Sequence, residues 1–163
     1  MSKMPDESEF LVSESFKAVF TEKFKDSELS KKDFANFLGV SQPVAARALN
    51  FGIVPSLRTL IKIADKLEVS IEYLLGRSTN ENFIPAERKS NFHERLELLM
   101  QKCKAAGENV NYGKICRSTT FPRTYFYEWI KEKTLPSLDY AFNIAEYFGV
   151  SIDYLLGRTD FEN

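Results

Sequence analysis

At 163 residues, 44% hydrophobic and 28% charged, the chain has the make-up of a folded globular protein, one ordinary domain or two small ones. No apolar run approaches the roughly 20 residues that span a bilayer, and the start MSKMPDESEF is acidic without a secretory apolar core, so a cytoplasmic protein with no membrane contact is expected. Cys103, Cys116 and His93 are the only cysteines and histidine. With no metal-spaced ligand set, no nucleophile beside a histidine and no glycine-rich phosphate loop, the expectation is no metal, no cofactor and no enzymatic activity.

In chain order, a first helix is expected around Phe10–Lys25, with Phe16, Phe20 and Phe24 on one face. Ser30, three residues before Asp33, suits the opening of a helix over Lys31–Leu38. Gly39 can take the positive φ of a tight turn, and a third helix follows over Gln42–Phe51. Ser56 suits the cap of a fourth helix, whose Leu57, Leu60, Ile61, Ala64 and Leu67 keep helical spacing. Ser70 opens a short last helix that ends before Gly76. A polar stretch with Pro85, residues 78–91, reads as a linker.

Beyond it the pattern returns. VPSLRTLIKIADKLEVSIEYLLGRS at 54–78 reappears as LPSLDYAFNIAEYFGVSIDYLLGRT at 135–159, offset by 81 residues throughout. Two copies at so long a spacing are expected to be two domains rather than a solenoid. The domains are 1–77 and 92–163. In the second copy helices are expected over Asn91–Ala105 (Leu96, Leu99 and Cys103 on one face), Tyr112–Thr119 and Arg123–Glu132. The two that follow should be capped by Ser137 and Ser151, the first with Leu138, Ala141, Phe142, Ala145 and Phe148 on its apolar face. Nothing reads as a strand. His93 falls on a charged helix face and is expected to be solvated.

The net charge of −1 is unevenly spread. Residues 29–62 carry five basic side chains (Lys31, Lys32, Arg47, Arg58, Lys62) against Asp33 alone, and 110–136 carry five (Lys114, Arg117, Arg123, Lys131, Lys133) against Glu128 and Glu132. Locally basic segments on a neutral chain suit two modest surfaces for nucleic acid.

Residues 33–77, DFANFLGVSQPVAARALNFGIVPSLRTLIKIADKLEVSIEYLLGR, resemble the lambda-repressor and Cro-like (XRE) helix-turn-helix family. The resemblance lies in Phe34-Ala35, the turn Gly39-Val40-Ser41, Pro55-Ser56-Leu57 and the ending Val-Ser-Ile-Glu-Tyr-Leu-Leu-Gly-Arg. The second copy keeps that ending and adds Trp129 and Lys131-Glu132-Lys133 before Leu135-Pro136-Ser137. The resemblance implies an all-α protein of two consecutive five-helix domains that binds specific double-stranded DNA, a bacterial or phage transcriptional regulator. Ala35 would be the small residue where helices 2 and 3 cross, with Cys116 as its buried counterpart. Thr120 stands where the first copy has the turn glycine, and Pro122 where it has the polar cap.

By position, the resemblance puts Gln42, Pro43, Val44, Ala46 and Arg47 against bases, with Ala45 and Ala48 inward, and gives Lys31 and Lys32 a phosphate-positioning role. In the second copy Arg123, Thr124, Tyr125, Tyr127 and Glu128 would face the groove, with Lys131 and Lys133 also among the DNA-binding residues and Phe126 and Trp129 buried. Single domains of this kind often pair, so a homodimer stays open as a partner. A second reading also stays open: a protein-interaction module that keeps the helix-turn-helix core and binds a protein through the aromatic residues of domain 2. Salt dependence separates the two.

Overall fold

The computed structural model describes residues 11–118 and 121–163, and the chain divides into two compact units, Met1–Phe83 and Ile84–Asn163. Among the described residues every element is helical, and one isolated backbone bridge, Val12 to Ile53, takes the place of any strand.

Unit 1 contains α1 (Glu14–Ser27), α2 (Lys31–Leu38), α3 (Gln42–Phe51), α4 (Leu57–Leu67) and α5 (Ile71–Leu74). All five open on a serine. Ser13, Ser30, Ser41, Ser56 and Ser70 each accept a hydrogen bond from the backbone N–H three residues on, at 2.9 to 3.4 Å. Each bond satisfies a donor that the first helical turn leaves unpaired, and such a cap is worth about 1 kcal/mol.

α1 starts at Glu14, later than the helix expected from Phe10, which lies outside the described residues. The backbone just before it is already committed elsewhere. Ser13 N–H donates to the Gly52 carbonyl at 2.9 Å, and Val54 N–H donates to the Leu11 carbonyl at 2.8 Å. Residues 11–13 therefore run extended beside 52–54, and Ser13 at φ −136° caps the helix.

The core of unit 1 is an aromatic stack. Phe16, Phe20 and Phe34 are fully buried, with ring centroids 5.5 Å apart for Phe16–Phe20 and 5.4 Å for Phe20–Phe34. Phe24 reaches Phe34 at 5.3 Å. α4 packs against α2 and buries Leu57, Leu60, Ile63 and Ala64. Ile63, absent from the spacing read in the sequence, is buried, while Ile61 and Leu67 are half-buried. The buried stripe is thus rotated by part of a turn from the expected one.

Unit 2 contains α6 (Phe92–Ala105), α7 (Tyr112–Arg117), α8 (Thr124–Glu132), α9 (Leu138–Phe148) and α10 (Ile152–Leu155). Asn91, Asn111, Ser137 and Ser151 cap four of them. α8 alone lacks a side-chain cap, because Arg123 in that place has helical backbone angles and a side chain that cannot accept. Thr119 and Thr120, the expected end of α7 and the turn residue, lie outside the described residues. In α9 the buried residues are Leu138, Ala141, Ile144 and Ala145, with Phe142 and Phe148 half-buried. The same rotation of the stripe recurs here.

The stretch read as a linker, 78–91, is held at both ends. The Tyr73 hydroxyl donates to the Glu81 carboxylate at 2.7 Å within unit 1. In unit 2, Ala86 N–H donates to the Arg158 carbonyl and the Thr159 hydroxyl donates to the Ile84 carbonyl, both at 2.8 Å. Buried charge pins the same corner of unit 2. Arg95, 7% exposed, pairs with Asp160 at 3.1 Å and lies 4.3 Å over the Tyr154 ring. Arg158 and Asp153 form an ion pair with both side chains buried.

Candidate nucleic-acid interface

α2 and α3 are joined by a three-residue turn. Gly39 ends α2 with φ 73° and ψ 30°, and its N–H together with that of Val40 satisfies carbonyls of the last turn of α2. No atom lies within 4 Å of where a Cβ on Gly39 would stand, so the demand here is for the left-handed backbone rather than for space. Ser41 opens α3, and Pro43 falls in the first turn, where a missing N–H costs nothing.

α3 divides into two faces. Ala45 and Ala48 are 2% and 0% exposed, and Ala35 of α2 is fully buried, so small side chains let these helices approach closely. On the other face Gln42, Pro43 and Arg47 are exposed, while Val44 and Ala46 are half-buried beside them. Lys31 and Lys32 are exposed on the first turn of α2. Lys31, Lys32 and Arg47 make no ion pair among the described residues. The result is a helix with donors and small apolar groups outward, flanked by unneutralised positive charge.

The far end of α3 is fixed by a close approach. Gly52 has φ 68°, and a Cβ there would stand 2.7 Å from the Ser13 carbonyl oxygen. Contact of that closeness leaves room for hydrogen only.

A helix-turn-helix family model matches residues 22–74, which run from within α1 through α5. Over 79 residues, 48% of this chain and 67% of the relative, the sequence is 33% identical to the uncharacterized HTH-type transcriptional regulator YqaE of Bacillus subtilis (strain 168). This chain belongs to the helix-turn-helix family. No solved structure matches it. The family match lies in unit 1.

In unit 2 the equivalent helix stands on a different base. Residues 81 positions after Ala45 and Ala48 are Phe126 and Trp129, 0% and 7% exposed. Rings fill the space that alanines leave thin in unit 1. Tyr112 stacks on Phe126 at 4.6 Å, Phe121 lies 5.3 Å from both Phe126 and Trp129, and Tyr140 lies 4.7 Å from Phe121. Tyr125, expected at the groove, is half-buried in this cluster, 5.7 Å from Tyr140 and 6.1 Å from Trp129. Arg123, Thr124, Glu128, Lys131 and Lys133 are exposed, and Tyr127 is 54% exposed with its edge on Tyr112.

Two expectations for this unit are corrected. Cys116 is half-buried rather than buried, while Ile115 beside it, the counterpart of Phe34, is at 0% exposure. Partial burial still pushes the Cys116 thiol up, against a smaller downward pull from Arg123. His93 is not a solvated side chain. Its Nε2 lies 3.0 Å from the Trp129 carbonyl oxygen and 2.9 Å from that of Thr134, so α6 holds the C-terminus of α8. Nothing in the residues around His93 signalled this, because its partners are backbone atoms some forty residues away. Among the described residues no cluster of His, Cys, Asp and Glu could hold a metal ion, and no helix is long and apolar enough to cross a membrane.

Proposed function

We propose that this chain is a sequence-specific, double-stranded DNA-binding transcriptional regulator of bacterial or phage type, acting in the cytoplasm without enzymatic activity. Its two helix-turn-helix domains, 1–77 and 92–163, are joined through 78–91. One observation carries the reading: α3 buries Ala45 and Ala48 and turns Gln42, Pro43 and Arg47 outward, with Lys31 and Lys32 exposed and unpaired on the first turn of α2.

In this reading α3 lies in the major groove. Gln42 pairs with adenine, Arg47 with guanine, and Val44 and Ala46 pack on thymine methyl groups. Lys31 and Lys32, on the first turn of α2, take phosphates and set the register. In domain 2, Arg123, Thr124 and Tyr127 approach the duplex, with Lys131 and Lys133 against the backbone. Tyr125, half-buried like Val44 at the equivalent place, approaches the duplex with its ring packed on Tyr140. A second copy of the chain remains compatible with this arrangement as a homodimer partner.

The test is a binding titration of the full chain against random-sequence duplex at increasing salt. Each neutralised phosphate contributes about −0.9 to the slope of log K against log salt. A slope of several units supports the reading, and a flat profile would overturn it.

The exposed Tyr127, the aromatic bed beneath it and Glu128 favour a second reading for unit 2, a surface that docks a protein. Binding through that surface would be nearly indifferent to salt.

A further inference from the structure

α3 and α8 hold the same register but present opposite charge at one position. The two helices end at equivalent left-handed caps, Gly52 at φ 68° and Lys133 at φ 56°, and each cap donates its N–H to the carbonyl four residues back, Ala48 and Trp129. Counting back from those caps, Ala45 and Ala48 coincide with Phe126 and Trp129, and all four are buried. Register is therefore fixed in each unit by its own cap and its own core. Five residues before the cap stands Arg47 in α3 and Glu128 in α8. Both are exposed, and neither forms an ion pair among the described residues. At the other outward positions Gln42 corresponds to Arg123 and Ala46 to Tyr127, so no outward residue of this set is shared.

Guanidinium only donates hydrogen bonds, and carboxylate only accepts them. In the major groove guanine offers two acceptors, O6 and N7, whereas cytosine offers its N4 amine as a donor. A carboxylate placed against guanine meets two acceptors, and a guanidinium placed against the cytosine amine meets another donor. Each side chain therefore rejects the other's partner as well as accepting its own.

Resting on the DNA-binding reading above, we infer that the chain recognises an asymmetric, two-part duplex site. The half read by α3 presents a guanine to Arg47. The half read by α8 presents a cytosine to Glu128 at the equivalent place. A perfect inverted repeat satisfies one unit and opposes the other, so one chain reads two unlike halves.

The experiment is selection of bound duplexes from a random pool at about 150 mM salt, where non-specific binding is weak. It uses the full-length chain, Glu128→Arg and Arg47→Glu, with helix content confirming that both variants fold and Trp129 fluorescence reporting on unit 2 in Glu128→Arg. The wild-type chain should recover two unlike half-sites. Glu128→Arg should shift one base pair of one half to guanine, leave the other half unchanged, and bind the wild-type site about 10-fold more weakly or worse. Recovery of a symmetric inverted repeat by the wild-type chain, or an unchanged selected sequence with Glu128→Arg, overturns this inference while leaving DNA binding in place. Absence of enrichment by all three proteins overturns the DNA-binding reading as well.

Discussion

His93 of α6 places its Nε2 3.0 Å from the carbonyl oxygen of Trp129 in α8, and the same nitrogen lies 2.9 Å from the Thr134 carbonyl oxygen. The Trp129 carbonyl already accepts from the Lys133 and Thr134 N–H groups, so His93 adds a tie from α6 to the end of α8 rather than a missing partner. The tie matters more because α8 has no side-chain cap at its other end. The aromatic bed beneath α8 supplies area, and His93 supplies direction.

His93→Ala should therefore destabilise unit 2 by about 1 kcal/mol, the worth of the lost hydrogen bonding between α6 and the end of α8. Trp129 is the single tryptophan of the chain and lies on the affected helix, so denaturant unfolding followed by its fluorescence reports on this unit. An unchanged midpoint would show that the His93 contacts are incidental.

The two glycines that bound the α2–α3 region should respond differently to alanine. Gly39 needs only its left-handed backbone, since no atom stands within 4 Å of an added Cβ, and Gly39→Ala should cost about 1 kcal/mol. Gly52→Ala adds a clash 2.7 Å from the Ser13 carbonyl to a similar backbone strain. It should cost about 2–4 kcal/mol and loosen the pairing of residues 11–13 with 52–54. Thermal unfolding by circular dichroism ranks the two. Equal losses would mean that the N-terminal segment simply moves aside.

Helix starts were legible in the sequence because they rest on local chemistry. Serines at 30, 56, 70, 137 and 151 cap the helices that the spacing placed after them, and a cap acts within three residues. The buried stripes of α4 and α9 were legible only to within part of a turn, since Ile61 and Ile63 are equally apolar and tertiary packing chose between them. The start of α1 was misplaced because residues 11–13 answer to residues 52–54, about forty positions on. Of the candidate site, the inward Ala45 and Ala48 of α3 were legible through the family resemblance. The packing of Tyr125 was not, because the ring it meets, Tyr140, belongs to a different helix.

The Tyr73–Glu81 hydrogen bond makes an alkaline prediction with a definite sign. Donation to Glu81, then burial, then the negative charges of Glu81, Glu22 and Asp26 push the Tyr73 hydroxyl up to about 12. The unfolded chain loses this proton near pH 10 while the folded chain keeps it, so between those values the folded state binds more protons. The resulting stability is fully present below pH 10 and is lost as pH rises through about 12. Tyr73→Phe should cost about 1 kcal/mol at neutral pH and remove this component of the alkaline decline. Superimposable stability profiles for the two proteins between pH 9 and about 12 would refute it.

Phosphate contact and base contact are separable by their salt and sequence signatures. Lys31 and Lys32 carry charge at the exposed first turn of α2, whereas Arg47 lies on the outward face of α3. A double Lys31→Ala, Lys32→Ala variant should weaken binding to all duplexes alike and flatten the slope of log K against log salt by up to about 2. The preferred sequence should not change. Arg47→Ala should instead lose about 1–3 kcal/mol on the preferred site, far less on random duplex, and relax preference at a single base pair. Fluorescence anisotropy over a salt series, on preferred and random duplexes, measures both quantities for each variant. Uniform weakening by Arg47→Ala across all sequences would reassign that guanidinium from a guanine edge to a phosphate, because only a base contact can discriminate among sequences that share one backbone.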